Sequence, residues 1–330
     1  MNRILIVLVS FAFFISCNKK QNEDSHYQEV FSISYKPDEA KVLMEKHCYL
    51  CHSPNANEID GRIAPPMVAI KAHYIDREGY TKEEFINAVS AFVENPTAEL
   101  ALMHGAVAKF GVMPNQVFPD SVVIKIAAFM YDYKIEEPTW FKNHWKSKGS
   151  SNWQQSGEDF IHEISNKSFA DIGLEYALET KKVLGKNLMG AIQKEGTEKA
   201  LAFCNQQAIL LTDSMSLHFN ANIKRVSDKN RNPNNKANHE ELGYIEQFKK
   251  ELVAKKEPVP VVVETDDQVY FYYPIATNTM CLQCHGNPVN IEPKVLQKIK
   301  ALYPNDLAIG YNENEVRGIW SIRFNKNKNE

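Results

Sequence analysis

Cysteine is scarce in this chain, six in 330 residues, so each one can be accounted for individually. Basic residues are no more than balanced: 38 Lys and Arg against 41 Asp and Glu leave a formal net charge of -3. They are spread along the chain rather than gathered in a stripe, which argues against a nucleic-acid-binding surface. Beyond the first residues no apolar run approaches the roughly 20 residues that a membrane-spanning helix needs. No phosphate-binding loop, nucleotide fingerprint or Ser/His/Asp set stands out, and nothing supplies a kinase or other output domain. The chain is long enough for two domains of ordinary size, and 44% hydrophobic residues suffice to fill their cores.

The N-terminus has its own pattern. Arg3 gives a positive start, and Ile4 to Ile15 is apolar apart from Ser10. That is too short to span a bilayer and suits a signal peptide. It ends in Phe14-Ile15-Ser16-Cys17, followed by the polar run from Asn18 to Asp24. This resembles a bacterial lipobox, although Phe14 stands where leucine is usual. The resemblance implies that Cys17 is the lipidated first residue of the mature protein. A soluble body would then be tethered by residues 18–35 to a membrane of the cell envelope or periplasm. An ordinary signal peptide cut nearby, or an uncleaved anchor, are the alternatives.

Four of the remaining cysteines fall in two copies of one motif. Residues 48 to 52 read Cys48-Tyr49-Leu50-Cys51-His52, and residues 281 to 285 read Cys281-Leu282-Gln283-Cys284-His285. C-x-x-C-H is the attachment signature of c-type haem. Two thiols one helical turn apart add to the two vinyl groups on one edge of the macrocycle, and the adjacent histidine becomes an axial ligand of the iron. A four-cysteine zinc site is the main competitor, but such pairs normally lie within a few tens of residues of each other. These lie more than two hundred apart. Thioredoxin-type redox chemistry would leave the histidine after each pair as coincidence. The expectation is two covalent c-type haems, with His52 and His285 as iron ligands.

Around the first motif, a helix is expected from Pro37 to His47, with Pro and acidic residues at its start. A second begins at Thr81, where Thr81 and Glu84 match a capping box, and a third runs from about Asp120 to Tyr133. Together with Cys48, Cys51, His52 and the stretch Gly111-Val112-Met113-Pro114-Asn115, this resembles a class I cytochrome c over about residues 36–137. The resemblance implies a mainly α domain with Met113 opposite His52. Met67, His73, Met103 and His104 lie in the same interval and are the rival ligands.

Residues 138–153 are charged and aromatic, then rich in Ser and Gly, and read as a linker. From about Asp159 to Asn220 the chain looks helical with a break at Gly196. A further helix is expected around Glu240 to Ala254. Val261-Val262-Val263 and Val269 to Tyr273 read as two strands joined at Asp266-Asp267, and Ile319 to Phe324 as a third. Helices followed by an antiparallel sheet make residues 154–330 an α+β domain. Several local patterns then resemble one family: Ala202-Phe203-Cys204-Asn205, Ile223 to Ser227, Asn230 to Asn235, Tyr273-Pro274-Ile275 ahead of the second motif, and Asp306 to Tyr311 leading to Val316-Arg317-Gly318. They are similar to the single-haem domain once known only as a domain of unknown function, over nearly all of residues 155–325. That resemblance implies a PAS-like architecture and a haem held between His285 and a distant cysteine matching Cys204.

Thiol counting is compatible with it. With Cys17 lipidated and four cysteines on haems, Cys204 has no disulfide partner in the chain. An inert buried thiol, or pairing with another molecule, remain alternatives, as do His162, His218 and His239 for the ligand. A thiolate on iron favours the ferric state and a low potential. Arg225, Arg231 and Arg317 are candidates for pairing with haem propionates. The combined expectation is an exported dihaem electron carrier, lipid-anchored to the membrane, working with periplasmic redox proteins and not with nucleic acid. A haem-based redox or gas sensor acting through a separate partner is the alternative, and a peroxidase-type enzyme a more distant one.

Overall fold

The computed structural model describes residues 34–59, 62–149, 153–161 and 167–326. Cys17 and His162 lie outside these residues. Tyr35–Glu330 form one compact unit, in which an N-terminal helical region and a C-terminal region of helices and sheet pack against each other.

The N-terminal region is built from α1 (Pro37–His47), α2 (Met67–Lys71), a π-helical turn (Ala72–Arg77), α3 (Lys82–Glu94), α4 (His104–Phe110) and α5 (Asp120–Asp132). Helix α1 starts at Pro37 and buries Ala40, Leu43 and Met44. Helix α3 is capped as its sequence predicts: Thr81 accepts from the Glu84 N–H while the Glu84 carboxylate accepts from the Thr81 N–H. Helices α1 and α3 both pack on α5, with Met44, Phe85, Phe129 and Met130 fully buried.

The expected linker contains a helix. Helix α6 (Phe141–Ser147) buries Phe141 and Trp145, which join Trp153 in an aromatic cluster. Lys71 ties this segment down. Its ammonium is fully buried and donates to the carbonyls of Tyr133 and Ser156, at 2.6 and 2.7 Å. Burial lowers the Lys71 pKa to about 8.

Helices α7 (Phe169–Glu195) and α8 (Thr197–Phe219) form a long hairpin. Helix α7 begins at a Ser168/Asp171 capping box, ten residues later than expected; residues 159–161 are not helical. The hairpin turns at Gly196, whose φ of 83° suits a residue without Cβ. The sheet order is β1-β4-β3-β2, antiparallel throughout, from β1 (Asn222–Val226), β2 (Val261–Glu264), β3 (Gln268–Ala276) and β4 (Val316–Asn325). The β2–β3 hairpin and β4 match expectation; β1 is an addition. Helices α9 (His239–Val253), α10 (Leu282–His285) and α11 (Pro293–Leu302) complete the fold.

Side-chain alternation sorts the sheet residues. Val269, Phe271, Tyr273, Trp320, Ile322 and Phe324 face α7, whereas Tyr272, Ile319 and Val316 meet Ile245, Phe248 and Leu252 of α9. The sheet is thus a central layer between helices. Contact on the α7 side is close enough that a Cβ on Gly173 would lie 2.2 Å from the Phe271 ring. Gly173→Leu is therefore expected to destabilise the fold by about 1–3 kcal/mol, as overpacking does, read as a lowered midpoint in chemical denaturation.

Candidate functional site: two C-x-x-C-H motifs

Both motifs are helical turns closed by backbone hydrogen bonds. The His52 N–H donates to Cys48 O at 2.8 Å, and the His285 N–H to Cys281 O at 2.9 Å. This brings the two sulfurs of each pair to one side with the histidine immediately after. All five cysteines among the described residues are free thiols, partly buried. Burial pushes the Cys48 thiol up to about 12 and Cys284 to about 11, so these groups are neutral.

The histidines share a second feature that spacing does not announce. His52 Nδ1 lies 2.6 Å from the carbonyl of Pro65, and His285 Nδ1 lies 2.6 Å from the carbonyl of Ala308. A carbonyl accepts only, so each Nδ1 carries the proton and each Nε2 presents a lone pair. Burial lowers both imidazole pKa values, for His285 with added repulsion from Arg317 and Arg231, so both rings are neutral. Arg317 Nε is also 3.3 Å from His285 Nδ1, but a protonated Nδ1 cannot accept; the shorter carbonyl bond decides the tautomer.

The rival ligands of the first motif separate by position. The Met67 N–H donates to His52 O at 3.3 Å, which ties it to the segment that holds the histidine's Nδ1 side. His73 packs edge-on against Trp145 at 5.1 Å, and burial holds its pKa down to about 4. His104 is exposed at the start of α4. Met113 is half-buried in the loop that leads into α5. That loop reaches the second motif: the Thr279 hydroxyl, two residues before Cys281, donates to Asn115 O at 2.7 Å.

At the second motif, Cys204 stands on α8, the helix that packs on α11 through Leu201, Val295 and Ile299, with Cys284 against the same cluster. Burial raises the Cys204 pKa, and the charges of Arg225 and Arg231 pull it back. The three arginines have different surroundings. Arg231 forms a two-point pair with Asp306, at 3.1 and 3.0 Å, and donates to Cys284 O at 2.6 Å. Arg317 donates to the Ser227 hydroxyl and Lys229 O. Arg225 keeps a buried Nε without a partner. Arg231 and Arg317 thus hold backbone behind the motif, and Arg225 is the one with a spare buried donor beside Cys204.

Among the described residues no group of three or more His, Cys, Asp and Glu is arranged to hold a metal ion. Likewise, no described helix is long and apolar enough to cross a membrane.

A central antiparallel sheet between helices, with a C-x-x-C-H turn whose histidine is locked by a carbonyl, makes the C-terminal region an α+β domain. The chain belongs to the Tll0287-like family, which matches residues 146–325. Among solved structures it is similar to the cyanobacterial heme-protein Tll0287, with 19% identity, a TM-score of 0.36, and coverage of 46% of this chain and 94% of that one. No curated protein matches the chain.

Asp306→Ala would leave the Arg231 guanidinium buried without its carboxylate, since the two side chains are only 10% and 6% exposed. The expected cost is about 3–5 kcal/mol, the range for breaking a buried pair, measured by urea denaturation. A pH dependence follows from the contact between the two regions, where Glu257 takes a hydrogen bond from Lys46 at 2.6 Å and lies 3.1 Å from His47. Burial alone would raise the Glu257 pKa, but His47 and Lys46 bring it down to about 2. His47 is itself lowered by burial, so at neutral pH it is an uncharged donor and Lys46 supplies the positive charge. Both shifts act in one direction. Protonation of the unfolded state is favoured below about pH 6.5 by His47 and below about pH 4.5 by Glu257. Stability should fall with acid, and thermal melts of Glu257→Gln should lose the part between about pH 4.5 and 2.

Proposed function

We propose that this chain is an exported dihaem c-type cytochrome that transfers single electrons. The observation that carries the reading is the repeated arrangement of two neutral thiols on one helical turn followed by a histidine whose Nδ1–H is taken by a carbonyl, leaving Nε2 free to bind iron. Membership of a family that shares its name with Tll0287, a cyanobacterial heme-protein, supports the haem-binding part of it.

In this reading, Cys48 and Cys51 hold one haem and Cys281 and Cys284 the other, through thioether bonds. His52 and Met113 would ligate the first iron, in a module of class I cytochrome c type over about residues 36–137. His285 and Cys204 would ligate the second, in a PAS-like module. Bound haem supplies a one-electron ferric/ferrous couple. The chain's own residues set its poise: Met113 offers a neutral thioether, which favours the ferrous state, and Cys204 a thiolate, which favours the ferric state. Arg225, with its unpartnered Nε, is the residue suited to a propionate or to the thiolate itself. Two ligands from the protein at each iron leave no open position, which fits electron transfer better than catalysis. Lipidation at Cys17 would place the protein at the cell envelope, among periplasmic redox partners.

The test is expression in a host with cytochrome c maturation, followed by intact mass, pyridine haemochrome and low-temperature EPR during a redox titration. Wild type should carry two covalent haems with well-separated midpoints and one low-spin ferric signal of thiolate character. Cys204→Ala should abolish that signal and raise the lower midpoint. Unchanged spectra in Cys204→Ala would remove the cysteine from the iron, and a chain without covalent haem would overturn the reading altogether.

A further inference from the structure

Helix α7 carries a cation at the seam between the two motifs. The half-buried Lys181 points its ammonium at Lys46 O, 3.4 Å away and two residues ahead of Cys48. One turn further along the same face, a Cβ on Gly185 would meet the Leu50 side chain, inside the first motif, at 2.5 Å. The face of α7 that bears Lys181 is therefore seated on the first C-x-x-C-H turn. The same ammonium is within electrostatic range of Cys48 and Cys51 on one side and of Cys281 on the other.

Three other contacts join segments flanking the motifs independently of this lysine. Thr279 reaches Asn115 O, and the Asn115 amide donates to the Glu313 carboxylate at 3.3 Å. Lys46 also places its ammonium over the Tyr273 ring, 4.9 Å from the centroid.

Neighbouring lysines are neutralised and Lys181 is not. Lys46 pairs with Glu257 at 2.6 Å and Lys182 with Glu179 at 3.1 Å. Among the described residues no acidic side chain lies within ion-pair distance of Lys181. Removing an ammonium from water without a counter-charge is costly, and burial accordingly draws its pKa down. The side chain stays partly exposed, and a charge carried there acts on both motifs at once, because cysteines of each lie within its range.

We propose that Lys181 is a charge shared by the two haem sites, placed between their attachment edges, which raises both reduction potentials together. The inference rests on the dihaem reading above. Reduction adds one electron, delivered by a redox partner protein, to a ferric haem and yields the ferrous form. A fixed positive charge nearby stabilises the more electron-rich product, and low local dielectric makes its reach long enough to act on both irons.

The experiment is a spectroelectrochemical titration of the full-length holoprotein, with haem content checked first by pyridine haemochrome and intact mass. Lys181→Gln should shift both midpoints to more negative values. Lys181→Met, which keeps the apolar stem in its packing, carries the same expectation and guards against a fault peculiar to one variant. Lys181→Arg should return both midpoints to wild type, and Lys182→Gln, one residue away and already paired, should move neither. A two-haem Lys181→Gln protein with wild-type midpoints, or with only one midpoint displaced, overturns the shared charge and leaves the dihaem reading standing. A wild-type chain lacking two haems overturns both.

Discussion

A neutral imidazole held by a backbone carbonyl is the constraint on which both halves of the molecule converge. A histidine that is to offer Nε2 to a metal must keep its proton on Nδ1, and it must not charge when enclosed. At each motif one carbonyl meets the first requirement and burial meets the second. Much of the surrounding structure serves to place those two carbonyls. Pro65 lies just ahead of α2, and the Met67 N–H returns to His52 O. Ala308 is fixed more elaborately: its N–H donates to Asp306, Asp306 is paired with Arg231, and Arg231 in turn grips Cys284 O. The Tyr311 N–H then closes the loop on His285 O at 2.9 Å.

The two solutions differ in how they resist disturbance. The first is local: histidine and carbonyl are thirteen residues apart and share one loop. The second depends on a buried charge pair and on residues from β1's following loop, from α10 and from the segment before β4. That makes the second site dependent on the integrity of the sheet, because Arg317, the second residue of β4, also anchors the Ser227–Lys229 loop. The N-terminal region, composed of helices among its described residues, has no such long-range dependence around His52.

Signals that are local in sequence were legible and those made of backbone or of distance were not. Thr81 and Glu84 announce a helix start because both partners of the capping box are side chains three residues apart. Gly196 announces a break because its backbone angle is unfavourable for other residues. The motifs themselves, and Cys204 by elimination, stand out as rare residue types. Strand β1 escapes notice because five residues beginning Asn-Ile-Lys-Arg carry charge at adjacent positions and owe their conformation to pairing with β4, almost a hundred residues away. The late start of α7 was hidden because Phe160 and Ile161 continue an apolar pattern, whereas the helix waits for the cap at Ser168. Pro65 and Ala308 contribute carbonyls, which every residue has, so no residue type marks them. The division of labour among Arg225, Arg231 and Arg317 was equally invisible, since it turns on Asp306, some seventy-five residues from Arg231.

The variable positions of the two C-x-x-C-H motifs have partners of their own. Tyr49 donates its hydroxyl to Glu136, Leu50 fills the space that Gly185 leaves open, and Gln283 accepts from Thr197 at the start of α8. In the dihaem reading the cysteines and histidine are fixed by attachment chemistry, and the two residues between the cysteines are exempt from it. In this molecule they act as an address, telling each turn which segment to dock against. Exchanging Tyr-Leu for Leu-Gln would leave every cysteine and histidine in place and still present the turn to the wrong neighbour.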